Sequence, residues 1–234
     1  MLDAIAFDAD DTLWHSETLY IGTQARFRAL LEPYRPAEEV DRALHQTEMR
    51  NLEIFGYGVK GFTLSMIETA IELSEGRIAA ADIQRIIGWA REMLDTPMEL
   101  FPHVEDTLAA LAGTHRLLLV TKGDLLDQET KLARSGLGEY FDHVEIVSDK
   151  TPAAYRRILT RNGIEAGRFM MVGNSLRSDI LPVVEIGGRA VYVPYEHTWM
   201  HENSVEANPE QPYHVLEHIG LLPDLVRQLE AGEG

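Results

Sequence analysis

Three aspartates follow an apolar run near the start of the chain, in "IAFDADDTLW", residues 5–14. A folded protein rarely gathers that much negative charge without a cation or a reaction to hold it. Side chains alternate along a strand, so Asp8 and Asp10 can project to one side as the strand ends. Backbone rise alone sets their carboxylates roughly 6–7 Å apart, room for a phosphoryl group or a metal ion. Alone, a D-x-D pattern is weak, since two neighbouring aspartates more often make a capped turn.

Later segments add weight. "RLLLVTKGD" ends an apolar run at Thr121, and "HVEIVSDKTPAAY" puts Lys150 between an apolar run and a helical one. "RFMMVGNSLRSDI" supplies Asn174 and Asp179. If these runs are parallel strands, their loops emerge at the carboxyl edge, where ligands of open α/β sheets gather. An acid pair, a hydroxyl, a lysine and an amide–acid pair then converge from four strand ends.

The elements that must position them read as follows. Near-continuous apolar runs at 4–7, 116–121, 143–148, 168–173 and 189–194 suit strands buried on both faces. Helical spacing lies between them at 125–137, 151–163 and 175–188. This alternation predicts a parallel sheet with right-handed crossovers, an α/β fold. Residues 15–98 break it with four helix-period segments, so a helical block is inserted after the first strand. The expected division is 1–14 plus 99–234 for the sheet domain and 15–98 for the insertion. Residues 195–214 predict an extended surface loop, followed by a last helix near 214–230.

The chain has 234 residues and a net charge of −17, from 21 basic and 38 acidic side chains. Phosphate backbones reward Lys and Arg, so no nucleic-acid partner is expected, and an anionic membrane surface is equally disfavoured. A phosphorylated substrate would need a local positive site or a metal, because the global field repels it. Cysteine is absent, which removes disulfides, thiolate catalysis and Cys-ligated metal sites. No signal peptide or membrane span is read, and the expectation is a cytoplasmic, soluble protein. Oligomeric state cannot be read from the residues.

Together "FDADDTL", "VTKGD", Lys150 and "GNSLRSD" resemble the four motifs of the haloacid dehalogenase superfamily, on a Rossmann-like core. The inserted helices resemble that family's C1 cap. The resemblance implies a phosphatase acting on a small phosphorylated metabolite, with Asp8 as nucleophile and Mg²⁺ as cofactor. Implied metal ligands are the Asp8 carboxylate, the Asp10 backbone carbonyl, Asn174 and Asp179. Asp10 would be the general acid–base, helped to keep a proton by the nearby Asp8 charge. Lys150 would hold the phosphate and pair with Asp8, and Thr121 would bond a phosphoryl oxygen. Thr12 would tighten the first loop or make a local turn bond. Asp11 reads as a solvated or capping acid.

Two departures stand out. Relatives usually carry Asp where Asn174 stands, and Asn where Lys122 stands. An amide oxygen can ligate Mg²⁺ but adds no charge. Lys122 either adds positive charge at the mouth of the site or points into water. In "FGYGVKGF", residues 55–62, Tyr57 and Lys60 are candidate substrate contacts, against a glycine-rich connection between helices. Tyr195 and Trp199 read as packing beneath the late loop. His197 and His201, four apart, lack a third ligand and read as solvated. Two other readings stay open, a phosphomutase of the β-phosphoglucomutase type and a non-hydrolytic phosphate-ligand-binding regulatory protein.

Overall fold

A computed structural model describes residues 1–197, 199, 202 and 212–232. The apolar runs form β1 (Ala4–Phe7), β2 (Arg116–Lys122), β3 (His143–Val147), β4 (Phe169–Gly173) and β5 (Arg189–Tyr192). A two-residue strand, β6 (His214–Val215), follows. The helices are α1 (Glu17–Leu31), α2 (Ala37–Phe55), α3 (Val59–Leu73), α4 (Ala80–Asp95), α5 (Val104–Ala112), α6 (Leu125–Ser135), α7 (Pro152–Asn162), α8 (Leu181–Glu185) and α9 (Leu222–Ala231).

Two of these differ from expectation. The last helix begins at Leu222, because His214 and Val215 pair with β5 as an edge strand instead. α5 falls in a stretch left unassigned from the sequence.

All the strands pair in parallel, in the order β3-β2-β1-β4-β5-β6. Chain order runs outward from β1 on one side and from β4 on the other. The switch point therefore lies at the carboxyl ends of β1 and β4, where such sheets bind ligands.

Strand alternation sends side chains to two cores. Ile5, Phe7, Leu117, Leu119, Met170 and Val172 face one layer, with α5 and α9. Ala4, Ala6, Leu118, Val120, Phe169 and Met171 face the other, with α7 and α8. The sheet is thus covered on both sides, as a parallel sheet requires.

The chain divides into two compact units. The sheet unit comprises residues 1–17, 98–122 and 128–234; the helical unit comprises residues 18–97 and 123–127. The short segment 123–127, expected in the sheet domain, groups with the inserted helices instead. Within the helical unit, Phe27, Leu31, Leu44, Met66, Ile86 and Trp89 form a separate core contributed by α1 to α4. In the sheet unit the chain leaves and returns as a short antiparallel pair. His15 N–H donates to Glu99 C=O (3.0 Å) and Phe101 N–H to Leu13 C=O (3.0 Å).

Candidate active site

The ladder between β1 and β4 extends one residue past β1, with Asp8 N–H donating to Val172 C=O at 2.9 Å. Asp8 is thereby anchored at the carboxyl edge, and the chain then turns sharply. Leu13 N–H reaches Ala9 C=O and Asp11 N–H reaches Trp14 C=O, both at 2.8 Å. Asp11 takes a positive φ of 61° there. Its carboxylate accepts from the N–H groups of Ser16 (2.9 Å) and Glu17 (3.0 Å), so it caps the start of α1. Burial pushes the Asp11 carboxyl up to about 7.

Lys150, nearly fully buried, donates to Asp8 Oδ1 and to Asp179 Oδ1, the latter at 2.6 Å. Its position follows from the start of α7. There Thr151 caps Ala154 N–H at 3.2 Å and Pro152 occupies the first turn, where its missing N–H costs nothing. Burial alone would lower the lysine's pKa, yet the Asp179 and Asp8 charges raise it, so Lys150 is an ammonium. Burial and the Asp8 charge push Asp179 up.

Asp179 is fitted against Gly173, where a Cβ would lie 2.3 Å from Asp179 Oδ2. Only a glycine there lets the carboxylate approach the strand end. Ser175 N–H donates to that same Oδ2 at 3.0 Å. The segment Leu176–Ile180 forms one wide π-type turn before α8. Pro182 has no N–H to offer Ser178 C=O four residues back, and Tyr155 O–H fills the gap at 3.0 Å.

Thr12 joins Asp8 to Asn174. Its hydroxyl lies 3.1 Å from Asp8 Oδ2 and 3.3 Å from Asn174 Oδ1, and it accepts Asn174 N–H at 3.2 Å. One hydroxyl has one hydrogen, so it cannot satisfy both oxygens at once. Carboxylate, amide and hydroxyl oxygens gathered in this way are the hard ligands that a cation such as Mg²⁺ takes. Among the described residues no three His, Cys, Asp or Glu side chains are grouped as a metal cluster, so a cation here would depend on Asn174 and backbone oxygen as well as on carboxylates. Thr121 is buried at the end of β2, its hydroxyl 3.5 Å from Lys122 C=O.

Asp10 departs from expectation. Its carboxylate accepts from Trp14 Nε1 (2.7 Å), Gln128 Nε2 (2.8 Å) and Lys131 Nζ (3.1 Å to each oxygen). Burial alone would raise its pKa, but the Lys131 charge and these donors hold it below the usual carboxylate range. The expected help from Asp8 in keeping a proton is outweighed by the Lys131 charge and these donors.

Lys122 does not point into water, its side chain being only 15% exposed. It donates to Ser178 Oγ at 2.9 Å and forms an ion pair with buried Glu202. Glu202 also accepts from Ser178 Oγ at 2.6 Å and from Ser175 Oγ.

The remaining candidates lie elsewhere. Tyr57 and Lys60 belong to the helical unit. Tyr57 is half-buried in the tight connection before α3, where Gly58 adopts φ 115°. Lys60 is exposed and pairs with Asp124 at 2.8 Å. Tyr195 packs on Phe101 and His15, with ring centroids 5.2 and 5.9 Å away. Trp199 is half-buried, and His197 faces Glu196 at 3.3 Å. His201 lies outside the described residues.

Trp14, Gln128, Lys131 and Glu202 were missed. Gln128 and Lys131 carried one readable signal, an i, i+3 pair directly after a motif-bearing strand end, which puts both on one helix face. Nothing in the sequence marked Glu202.

Residues 2–187 match the family model of haloacid dehalogenase-like hydrolases, and the chain belongs to that family. It is 44% identical to a haloacid dehalogenase-like hydrolase from Xanthomonas campestris, with a TM-score of 0.89. That match covers 99% of this chain and 93% of the other. A glyceraldehyde 3-phosphate phosphatase of Methanothermobacter thermautotrophicus is 26% identical, covering 89% of this chain and 92% of the relative. The pyrimidine 5′-nucleotidase YjjG of Escherichia coli is 24% identical, covering 93% and 97%.

Proposed function

We propose that this chain is a Mg²⁺-dependent phosphatase that hydrolyses a small phosphorylated metabolite through an aspartyl-phosphate on Asp8. Its class is phosphoric monoester hydrolase, in line with relatives named as a glyceraldehyde 3-phosphate phosphatase and a pyrimidine 5′-nucleotidase. The observation that carries the reading is Lys150, whose ammonium joins Asp8 and Asp179 across separate strand ends. A carboxylate is a weak nucleophile against an anion, and a fixed cation beside it lessens the repulsion.

In the first step an Asp8 oxygen bonds to phosphorus while the bond to the leaving oxygen breaks, and the departing oxygen takes a proton from Asp10, which the second step restores. Thr121 and Lys150 would orient the phosphoryl oxygens, and Thr12 holds the Asp8 carboxylate in line. In the second step a water oxygen attacks phosphorus, its proton passes to Asp10, and the bond to Asp8 breaks. Asp8, the Asp10 carbonyl, Asn174 and Asp179 would hold Mg²⁺, which supplies charge stabilisation to the transferring group when bound. The helical unit would serve as a C1-type cap, with Tyr57 and Lys60 as substrate contacts. A cytoplasmic setting goes with a diffusible substrate of this kind.

The test is release of inorganic phosphate from a panel of phosphorylated sugars, nucleotides and organic acids with Mg²⁺, beside Asp8→Asn. Turnover should fall on the order of a thousandfold or more in the variant. Turnover that survives it removes Asp8 as nucleophile, and an isomer that keeps its phosphate makes the enzyme a mutase.

A further inference from the structure

The turn from Asn174 to Asp179 is fastened by an acid that lies well beyond it in the chain. Glu202 is buried, and its Oε2 accepts from Ser175 Oγ and, at 2.6 Å, from Ser178 Oγ. Its Oε1 takes the Lys122 ammonium from the end of β2. Neither hydroxyl has a choice of direction. Ser175 Oγ accepts Ser178 N–H at 3.1 Å, and Ser178 Oγ accepts Lys122 Nζ at 2.9 Å. The single hydrogen of each serine therefore points to Glu202. Ser175 also holds Asp179 twice: its N–H donates to Asp179 Oδ2 at 3.0 Å, and its C=O accepts Asp179 N–H at 2.8 Å. Ser175 directly follows Asn174 in the chain. One serine thus links Glu202 to both residues at the ends of the turn.

We propose that Glu202, held by Lys122, is a positioning residue that sets the Asn174–Asp179 turn for Mg²⁺. The proposal rests on the phosphatase reading above, in which that turn carries two of the metal ligands. A carboxylate suits the place, because one oxygen faces two hydroxyls and the other an ammonium. An amide could offer its oxygen to the serines only by turning its NH₂ towards Lys122, donor against donor. Asn174 sharpens the demand for accurate aim, since its amide oxygen brings a dipole and no charge. Groups that orient metal ligands from behind are commonly worth about 10–100-fold in metal affinity.

The test is Mg²⁺ titration calorimetry on the full-length protein without substrate. Thermal melting in EDTA and phosphate release from p-nitrophenyl phosphate over a range of Mg²⁺ concentrations accompany it. Glu202→Ala should raise the Mg²⁺ dissociation constant about tenfold or more, with the Mg²⁺ needed for half-maximal rate rising in step. Glu202→Gln should also weaken binding, and adding Lys122→Met to it should recover most of that loss, because the clash of donors goes with the ammonium. A Glu202→Ala protein that melts lower yet binds Mg²⁺ as wild type does overturns the proposal, and so does a double variant no better than Glu202→Gln. If Glu202→Ala does not fold, Glu202→Gln and the double variant decide on the same readings. Wild type that binds no Mg²⁺ overturns the proposal whatever its activity. Wild type that binds Mg²⁺, loses affinity on Glu202→Ala and releases no phosphate upholds it and counts against the phosphatase reading alone.

Discussion

At the residue scale, the site is a set of matched charges whose partners are far apart in sequence. Asp8, Thr12, Lys150, Asn174 and Asp179 were identifiable by type and strand-end position, and the fold brings these five together. Their surroundings were not identifiable, because whether a lysine faces a carboxylate or water depends on tertiary packing. Lys122 is the clearest case. Burial alone would push the Glu202 carboxyl up, yet the Lys122 ammonium and two serine hydroxyls hold it at about 2. A depressed carboxyl contributes stability above its unfolded pKa, and that contribution fades as pH falls from about 4.5 towards 2. Glu202→Gln should therefore melt below wild type at pH 7, with the gap closing across that acid window. A gap in melting temperature that stays constant from pH 7 to pH 3 would discount the ion pair.

At the scale of elements, the strands were legible because buried parallel strands are short, apolar and bounded by turns. β6 escaped because two residues carry no periodicity, and the π-type turn at Leu176–Ile180 escaped because it needs the Pro182 and Tyr155 arrangement to exist. α7 illustrates a start signal that was readable, Thr-Pro ahead of an apolar-periodic run. Removing its cap by Thr151→Ala should cost about 1 kcal/mol in urea unfolding. Because Lys150 is the neighbouring residue, kcat should fall as well, a joint effect that a remote cap would not produce.

For the whole molecule, the two-unit division follows from a break in hydrophobic period, although the segment at 123–127 joined the helices against expectation. No described helix is long and apolar enough to cross a membrane. Net charge of −17 sets the long-range field that any phosphorylated substrate meets. Lys150, Lys122 and Lys131 are each engaged with carboxylates, so the approach is repulsive overall. Raising salt from about 10 to about 150 mM should increase kcat/KM for a dianionic ester, since screening weakens that repulsion. A decrease over the same range would mean that a positive funnel governs entry.

Gly173 carries a consequence for anyone who would redesign this protein. Strand β4 could accept alanine there as backbone, but the added methyl would collide with the Asp179 side chain at 2.3 to 2.7 Å. The acid would be evicted, leaving Lys150 with one counter-charge instead of two. The least forgiving position on the working edge is therefore occupied by the residue with nothing to contribute chemically, and libraries that spare only reactive side chains would overlook it.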